Sequence, residues 1–129
     1  EQLVKNADEA WRKELSTIKI EGSQDQKEMF YTSYYHTLIN PSVYMDIDGV
    51  YRGLDQNLHQ AKGFTNYTVF SLWDTYRAEH PFLLLMKPQA AQDMAMSMIA
   101  HQQQSVHGLL PVWSHMANDN WCMSGYHAV

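Results

Sequence analysis

Cysteine is nearly absent from this chain. Cys122 stands alone among 129 residues, so no disulfide forms within the chain and no zinc site is built from several thiolates. Basic residues are also few. Nine Lys and Arg, scattered apart from the adjacent Arg12 and Lys13, stand against fourteen Asp and Glu, for a net charge of −5, and no basic face meets a phosphate backbone, which argues against nucleic acid as a partner. Long apolar runs are missing too: the longest, Pro81-Phe-Leu-Leu-Leu-Met86, is far below the roughly 20 residues that span a bilayer, and no signal sequence is visible. Internal repeats and low-complexity tracts are likewise missing. What is present is apolar and aromatic content, 45% and 12%, enough for one sizeable core. Glu1 opens inside a helix-like pattern and Val129 closes as another begins, so the chain is expected to be a piece of a larger protein.

Hydrophobic spacing favours helices. Leu3, Ala7, Ala10, Trp11, Leu15 and Ile18 recur every three or four residues, the stripe of an amphipathic helix over residues 1–20 that ends by Gly22. Ser23 with Gln26 forms a capping box for a second helix, with Phe30, Tyr34 and Leu38 on one stripe, stopped by Asn40-Pro41. Asp48-Gly49 between short apolar segments reads as a tight hairpin turn. Asp46 and Asp48 also imitate the start of an EF-hand loop, but the later ligands are missing and the plain turn is preferred. Further along, Ser71 with Asp74 reads as a second capping box, for a helix kinked or ended near Pro81. Pro88 opens another helix, with Ala91, Ala95 and the Met94/Met98 pair as core filler. Composition and periodicity thus give a mainly α fold with a small hairpin.

The most informative stretch is Phe64-Thr-Asn-Tyr-Thr-Val-Phe-Ser-Leu-Trp-Asp-Thr-Tyr-Arg77. Strand-like residues give way at Ser71 to a helix start, placing Trp73 and Asp74 at the junction. A sugar offers C–H faces for stacking and hydroxyls for paired hydrogen bonds, so a saccharide site combines Trp or Tyr with carboxylate and guanidinium groups. Trp73/Asp74/Arg77, Trp113, and Asn118/Asp119/Trp121 all supply that mixture. Asp74 reads either as a helix cap or as a sugar ligand, and Arg77, three residues on, reads as its structural partner. The histidine pairs 36/59, 101/107 and 107/115 share no evident face and no His-Glu-x-x-His occurs, so a histidine metal site is not expected. His127, on an apolar segment, reads as a hydrogen-bonded core residue.

The run 64–77 resembles glycoside hydrolase family 92, the exo-acting α-mannosidases. Phe30-Tyr-Thr-Ser-Tyr-Tyr-His-Thr-Leu-Ile-Asn-Pro41, Tyr51-Arg-Gly53, Gly108-Leu-Leu-Pro-Val-Trp113 and Cys122-Met-Ser-Gly-Tyr-His127 fall in the order and at the spacings of that family, and the similarity covers roughly residues 26–129. It implies a linker helix over residues 1–22, then, over 23–129, the first part of a catalytic (α/α)6 toroid. It also implies a secreted or periplasmic bacterial enzyme whose signal peptide lies upstream of Glu1. One segment departs from the family: where members show Val-Trp-Glu-Leu and then Gly-Asn-Glu-Thr, this chain reads Val112-Trp-Ser-His-Met-Ala-Asn-Asp-Asn-Trp121.

The activity implied is inverting, calcium-dependent exo-α-mannosidase chemistry on mannose-rich glycans, of the α-1,2 type. Trp73 and Asp74 are the candidate substrate contacts, with Trp113, Asp119 and Trp121 as weaker ones. The general acid, the general base and the calcium ligands are expected further along than this chain reaches. By itself it is therefore expected to be inactive, its partners being an α-mannose glycan and the remainder of its own chain. The altered 113–120 loop motivates the alternative of a non-catalytic glycan-binding protein on the same scaffold.

Overall fold

The computed structural model describes residues 1–69 and 71–111. Helices dominate these, in two compact units, residues 1–39 and residues 40–129.

The first unit holds two helices, α1 (Gln2–Leu15) and α2 (Gln24–Thr37). The helix expected over 1–20 is shorter. Its last turn closes at Ser16, whose N–H bonds the Arg12 carbonyl, leaving Ile18 outside. The apolar stripe is covered only from Trp11 onward, since Leu3 stays 83% exposed. Trp11 and Tyr35 bring the helices together, their ring centres 4.6 Å apart, and the Tyr31 hydroxyl donates to the Ile18 carbonyl at 2.9 Å. The capping box forms as read: the Gln26 N–H donates to Ser23 Oγ and the Ser23 N–H to Gln26 Oε1.

The second unit begins with four short strands, β1 (Ser42–Val43), β2 (Val50–Arg52), β3 (Leu58–Gln60) and β4 (Tyr67–Thr68), followed by α3 (Leu72–Thr75), α4 (Glu79–Met86) and α5 (Pro88–Gln104). β1 pairs antiparallel with β4, and β2 with β3 through Val50↔Gln60, Tyr51↔His59 and Arg52↔Leu58. Asp48-Gly49 does occupy a turn. Gly49 takes φ +83°, a region that costs glycine little, and the turn is closed by the Asp46 N–H on the Val50 carbonyl and the Gly49 N–H on the Asp46 carbonyl. The paired strands lie one step further on, however, around residues 53–57.

In that second turn Asp55 accepts from the Asn57 backbone and side chain and from His59 Nε2. Those bonds, Asn57 first, hold its carboxyl down near pH 2. A correction concerns Pro81. It does not end a helix but sits in the first turn of α4, where its missing N–H has no intrahelical partner to lose. Pro88 opens α5 as expected.

Candidate functional site

The segment carrying Trp73 and Asp74 is anchored from behind by α5. Asp93, Ser97 and His101 recur every four residues, so they share one face of that helix, and all three are buried. Each takes hold of a residue in 65–67. The Thr65 N–H donates to Asp93 Oδ2 at 3.1 Å, and the Tyr67 N–H to Ser97 Oγ at 2.9 Å. Asn66, fully buried, places its Oδ1 3.1 Å from His101 Nε2 while its amide N–H₂ donates to the Tyr44 carbonyl. Ser97 in turn donates to the Asp93 carbonyl and Gln89 to Asp93 Oδ1. Every one of these groups is a polar atom whose burial would be costly without its partner. The short strand and the helix are therefore locked in one register.

Six residues downstream of Asn66, α3 begins. Its first turn is organised by one atom, the Ser71 carbonyl, which accepts from the backbone N–H groups of Asp74 and Thr75 and from Thr75 Oγ1. Ser71 and Thr75 are buried, whereas Trp73, 36% exposed, and Asp74 face outward. An inward pair thus fixes an outward pair.

Two expectations about this turn are overturned. Ser71 occupies the cap position, but its side chain makes no capping bond; Oγ is buried with no hydrogen-bond partner among the described residues. The side chain is drawn inward by packing instead of folding over the free N–H groups, so Ser71 and Asp74 do not form a capping box. Arg77 is not the partner of Asp74 either. Its Nε donates to the Tyr76 hydroxyl at 2.7 Å, with the guanidinium 5.3 Å from that ring. The adjacent phenol is reached without bending back along the chain, and the Asp74 carboxylate has no partner among the described residues. Beyond α3, burial alone pushes the Glu79 carboxyl up and the His80 imidazole down, and Tyr67 is raised by burial first and by Asp93 second.

Trp113, Asn118, Asp119, Trp121, Tyr126 and His127 lie outside the described residues. Sequence reasoning misses Asp93 and Ser97 and meets His101 only in a rejected metal pair, because it reads α5 as a methionine stripe. The available signal was three polar residues at a strict four-residue spacing on a helix otherwise rich in Ala and Met. As for calcium, no three His, Cys, Asp or Glu side chains converge among the described residues. Asp48, the better half of the EF-hand imitation, already accepts the Val50 N–H. The residues described do not fit a calcium cage, and no step is derived through one. No helix among them is long and apolar enough to cross a membrane.

An α-mannosidase of glycoside hydrolase family 92 from Bacteroides thetaiotaomicron, BT3965, is 52% identical over 92% of this chain with a TM-score of 0.86. The same enzyme has been solved in complex with mannoimidazole. The inverting mannosidase BT2199 of that organism is 31% identical over 98% of the chain, with a TM-score of 0.85. The chain spans only 16% and 17% of the lengths of these two enzymes. No curated protein matches. A sequence model of the glycosyl hydrolase family 92 catalytic domain matches residues 1–129, and this chain belongs to that family.

Proposed function

We propose that this chain is part of an inverting, calcium-dependent exo-α-mannosidase, of the α-1,2 type, that trims mannose-rich glycans outside the cytoplasm or in the periplasm. Residues 23–129 open its (α/α)6 barrel and residues 1–22 form the linker helix before it. The observation that carries the reading is the outward display of Trp73 and Asp74 on a turn whose inward residues are locked. The chain that carries it is 52% identical, over 92% of its length, to an α-mannosidase.

In this reading the Asp74 carboxylate accepts two hydroxyls of the terminal mannose, each a charge-assisted bond of roughly 1.5–3 kcal/mol. The Trp73 indole covers a C–H face of the ring and keeps water from it. Trp113, Asp119 and Trp121 complete the contacts. Inversion requires a carboxyl pair roughly 6.5–9.5 Å apart flanking the scissile bond, one protonating the leaving oxygen and the other activating water. That pair belongs to the rest of the protein, as do the calcium ligands, so the 129-residue piece is expected to release no mannose alone. Calcium, when bound, supplies a hard cation that takes sugar hydroxyl oxygens as ligands.

The test is mannose release from an α-1,2-mannobioside by the full-length protein, with the first-formed anomer read by proton NMR. Release of β-mannose, abolished by a chelator and restored by calcium, is the expected result. Release of α-mannose first, or activity indifferent to chelation, contradicts the mechanism. A second reading, glycan binding without hydrolysis, is favoured by the departure at 113–120, and saturable mannose binding without any release supports it.

A further inference from the structure

Away from Trp73 and Asp74, the second unit contains a cleft of about 330 Å³ between the segment Val43–Asp46 and the β2–β3 hairpin. Its construction follows from strand alternation. Val50 and Arg52 project from one face of β2, and Leu58, directly opposite Arg52, shares that face. Tyr51, which also lines the cleft, alternates with them along β2; it is buried and its hydroxyl accepts from Gln104 Nε2 at 2.7 Å. The Asp46 N–H on the Val50 carbonyl holds the opposing wall in place. The cleft is therefore backed by a fixed framework.

Two residues of opposite charge, Asp46 and Arg52, are among those lining this cleft. They pair neither with each other nor with any other described residue, and the Tyr44 phenol beside them is also without a hydrogen-bond partner among the described residues. Val43, Val50 and Leu58 supply apolar surface, Val43 being 57% and Leu58 72% exposed. One negative and one positive group select against an ion of either sign. They suit a neutral ligand that donates and accepts from adjacent atoms, which is what a vicinal diol does: one hydroxyl donates to the carboxylate while its neighbour accepts from the guanidinium. The volume sits at the small end of ligand sites, room for one ring and not for a chain.

We propose that this cleft is a second saccharide site, taking one pyranose ring of a mannose-rich glycan other than the ring that meets Trp73 and Asp74. The proposal rests on the mannosidase reading for the identity of the glycan, while the ligand class follows from the cleft itself. Its function is to hold long substrates, so its loss affects them alone.

The experiment compares full-length wild type with Asp46→Ala, Arg52→Ala and the double variant on two substrates, an aryl α-mannoside and a high-mannose glycan, with thermal midpoints measured alongside. Both side chains are exposed, so the variants should fold with midpoints unchanged. Expected is a rise in KM and a fall in kcat/KM of about tenfold for the glycan, from the loss of one diol contact, with the aryl mannoside within about twofold of wild type. Equal losses on both substrates, or none on either, overturn the proposal.

A titration with methyl α-mannoside, followed by saturation-transfer NMR with Asp74→Ala present in both proteins compared, separates this proposal from the mannosidase reading. If wild type hydrolyses neither substrate, that reading has failed, yet a saturable sugar signal lost in the double variant still supports the cleft. A signal unchanged in the double variant contradicts it. If the cleft is instead filled by a side chain from elsewhere in the protein, the variants lower the midpoint and leave sugar binding untouched, which also overturns it.

Discussion

His101 Nε2 lies 3.1 Å from Asn66 Oδ1 at a point where both residues are at most 2% exposed. The Asn66 amide is oriented by the Tyr44 carbonyl, to which it donates, so the oxygen faces the imidazole and Nε2 must carry the proton. Burial holds His101 neutral, its pKa lowered to about 4. In the unfolded chain it titrates near 6.5. As pH falls below that value the unfolded state takes up a proton that the folded state refuses, so stability declines from about pH 6.5 down through about pH 4. The loss is on the order of 3 kcal/mol when complete. His101→Gln retains a donor but removes the titration: its thermal midpoint should fall below wild type at pH 7, and the gap should narrow toward pH 4. Parallel curves would show that His101 does not titrate in this way.

Ser97 receives the Tyr67 N–H and donates to the Asp93 carbonyl. Ser97→Ala removes the hydroxyl without adding bulk and strands the buried N–H, at a cost of about 1–3 kcal/mol. The register of 65–67 leads into the turn bearing Trp73 and Asp74, so kcat/KM of the full-length protein should fall along with the midpoint. Destabilisation with full activity would mean that α5 supports the fold without positioning the site.

Two serines that look alike in sequence should behave differently. Ser23 accepts a backbone N–H as a true cap, and Ser23→Ala should cost about 1 kcal/mol. Ser71 makes no cap bond and its buried hydroxyl has no partner among the described residues, so Ser71→Ala should be neutral or stabilising. Equal losses in the two thermal midpoints would restore the capping box at Ser71.

Gly53 is required by space. A Cβ there would lie 2.6 Å from both Gln104 Oε1 and His59 Cδ2 and 2.9 Å from Asp55 Oδ1. Gln104 would have to leave the Tyr51 hydroxyl and His59 would have to shift against Asp55. Gly53→Ala should cost about 1–3 kcal/mol, read as a lowered midpoint, and an unchanged midpoint would show that the loop accommodates the methyl group freely.

The local signals in the sequence were legible where a single residue type decides the backbone. The Ser23/Gln26 box, the glycine at 49 and the proline opening α5 all formed where they were read. What escaped depended on contacts far apart in sequence. Ser71 has the same local neighbourhood as a cap, and only packing turns it inward. The Asp93/Ser97/His101 face has no meaning until residues 65–67 lie against it, some thirty positions away. Arg77 chose its neighbour Tyr76 over Asp74 because an adjacent phenol satisfies the guanidinium at once. The family could be read because fourteen residues of unusual composition stand together.

In the proposed function Asp74 holds sugar and does not hold the helix. Its carboxylate has no partner among the described residues, so Asp74→Ala should leave the thermal midpoint of the full-length protein unchanged. Losing its contacts to the terminal mannose should lower kcat/KM for an α-mannobioside by about 100-fold, the equivalent of about 3 kcal/mol of transition-state binding. Kinetics and midpoint measured on the same preparation decide it: a large rate loss at constant midpoint is the predicted result, and a lowered midpoint with unchanged kcat/KM would contradict it.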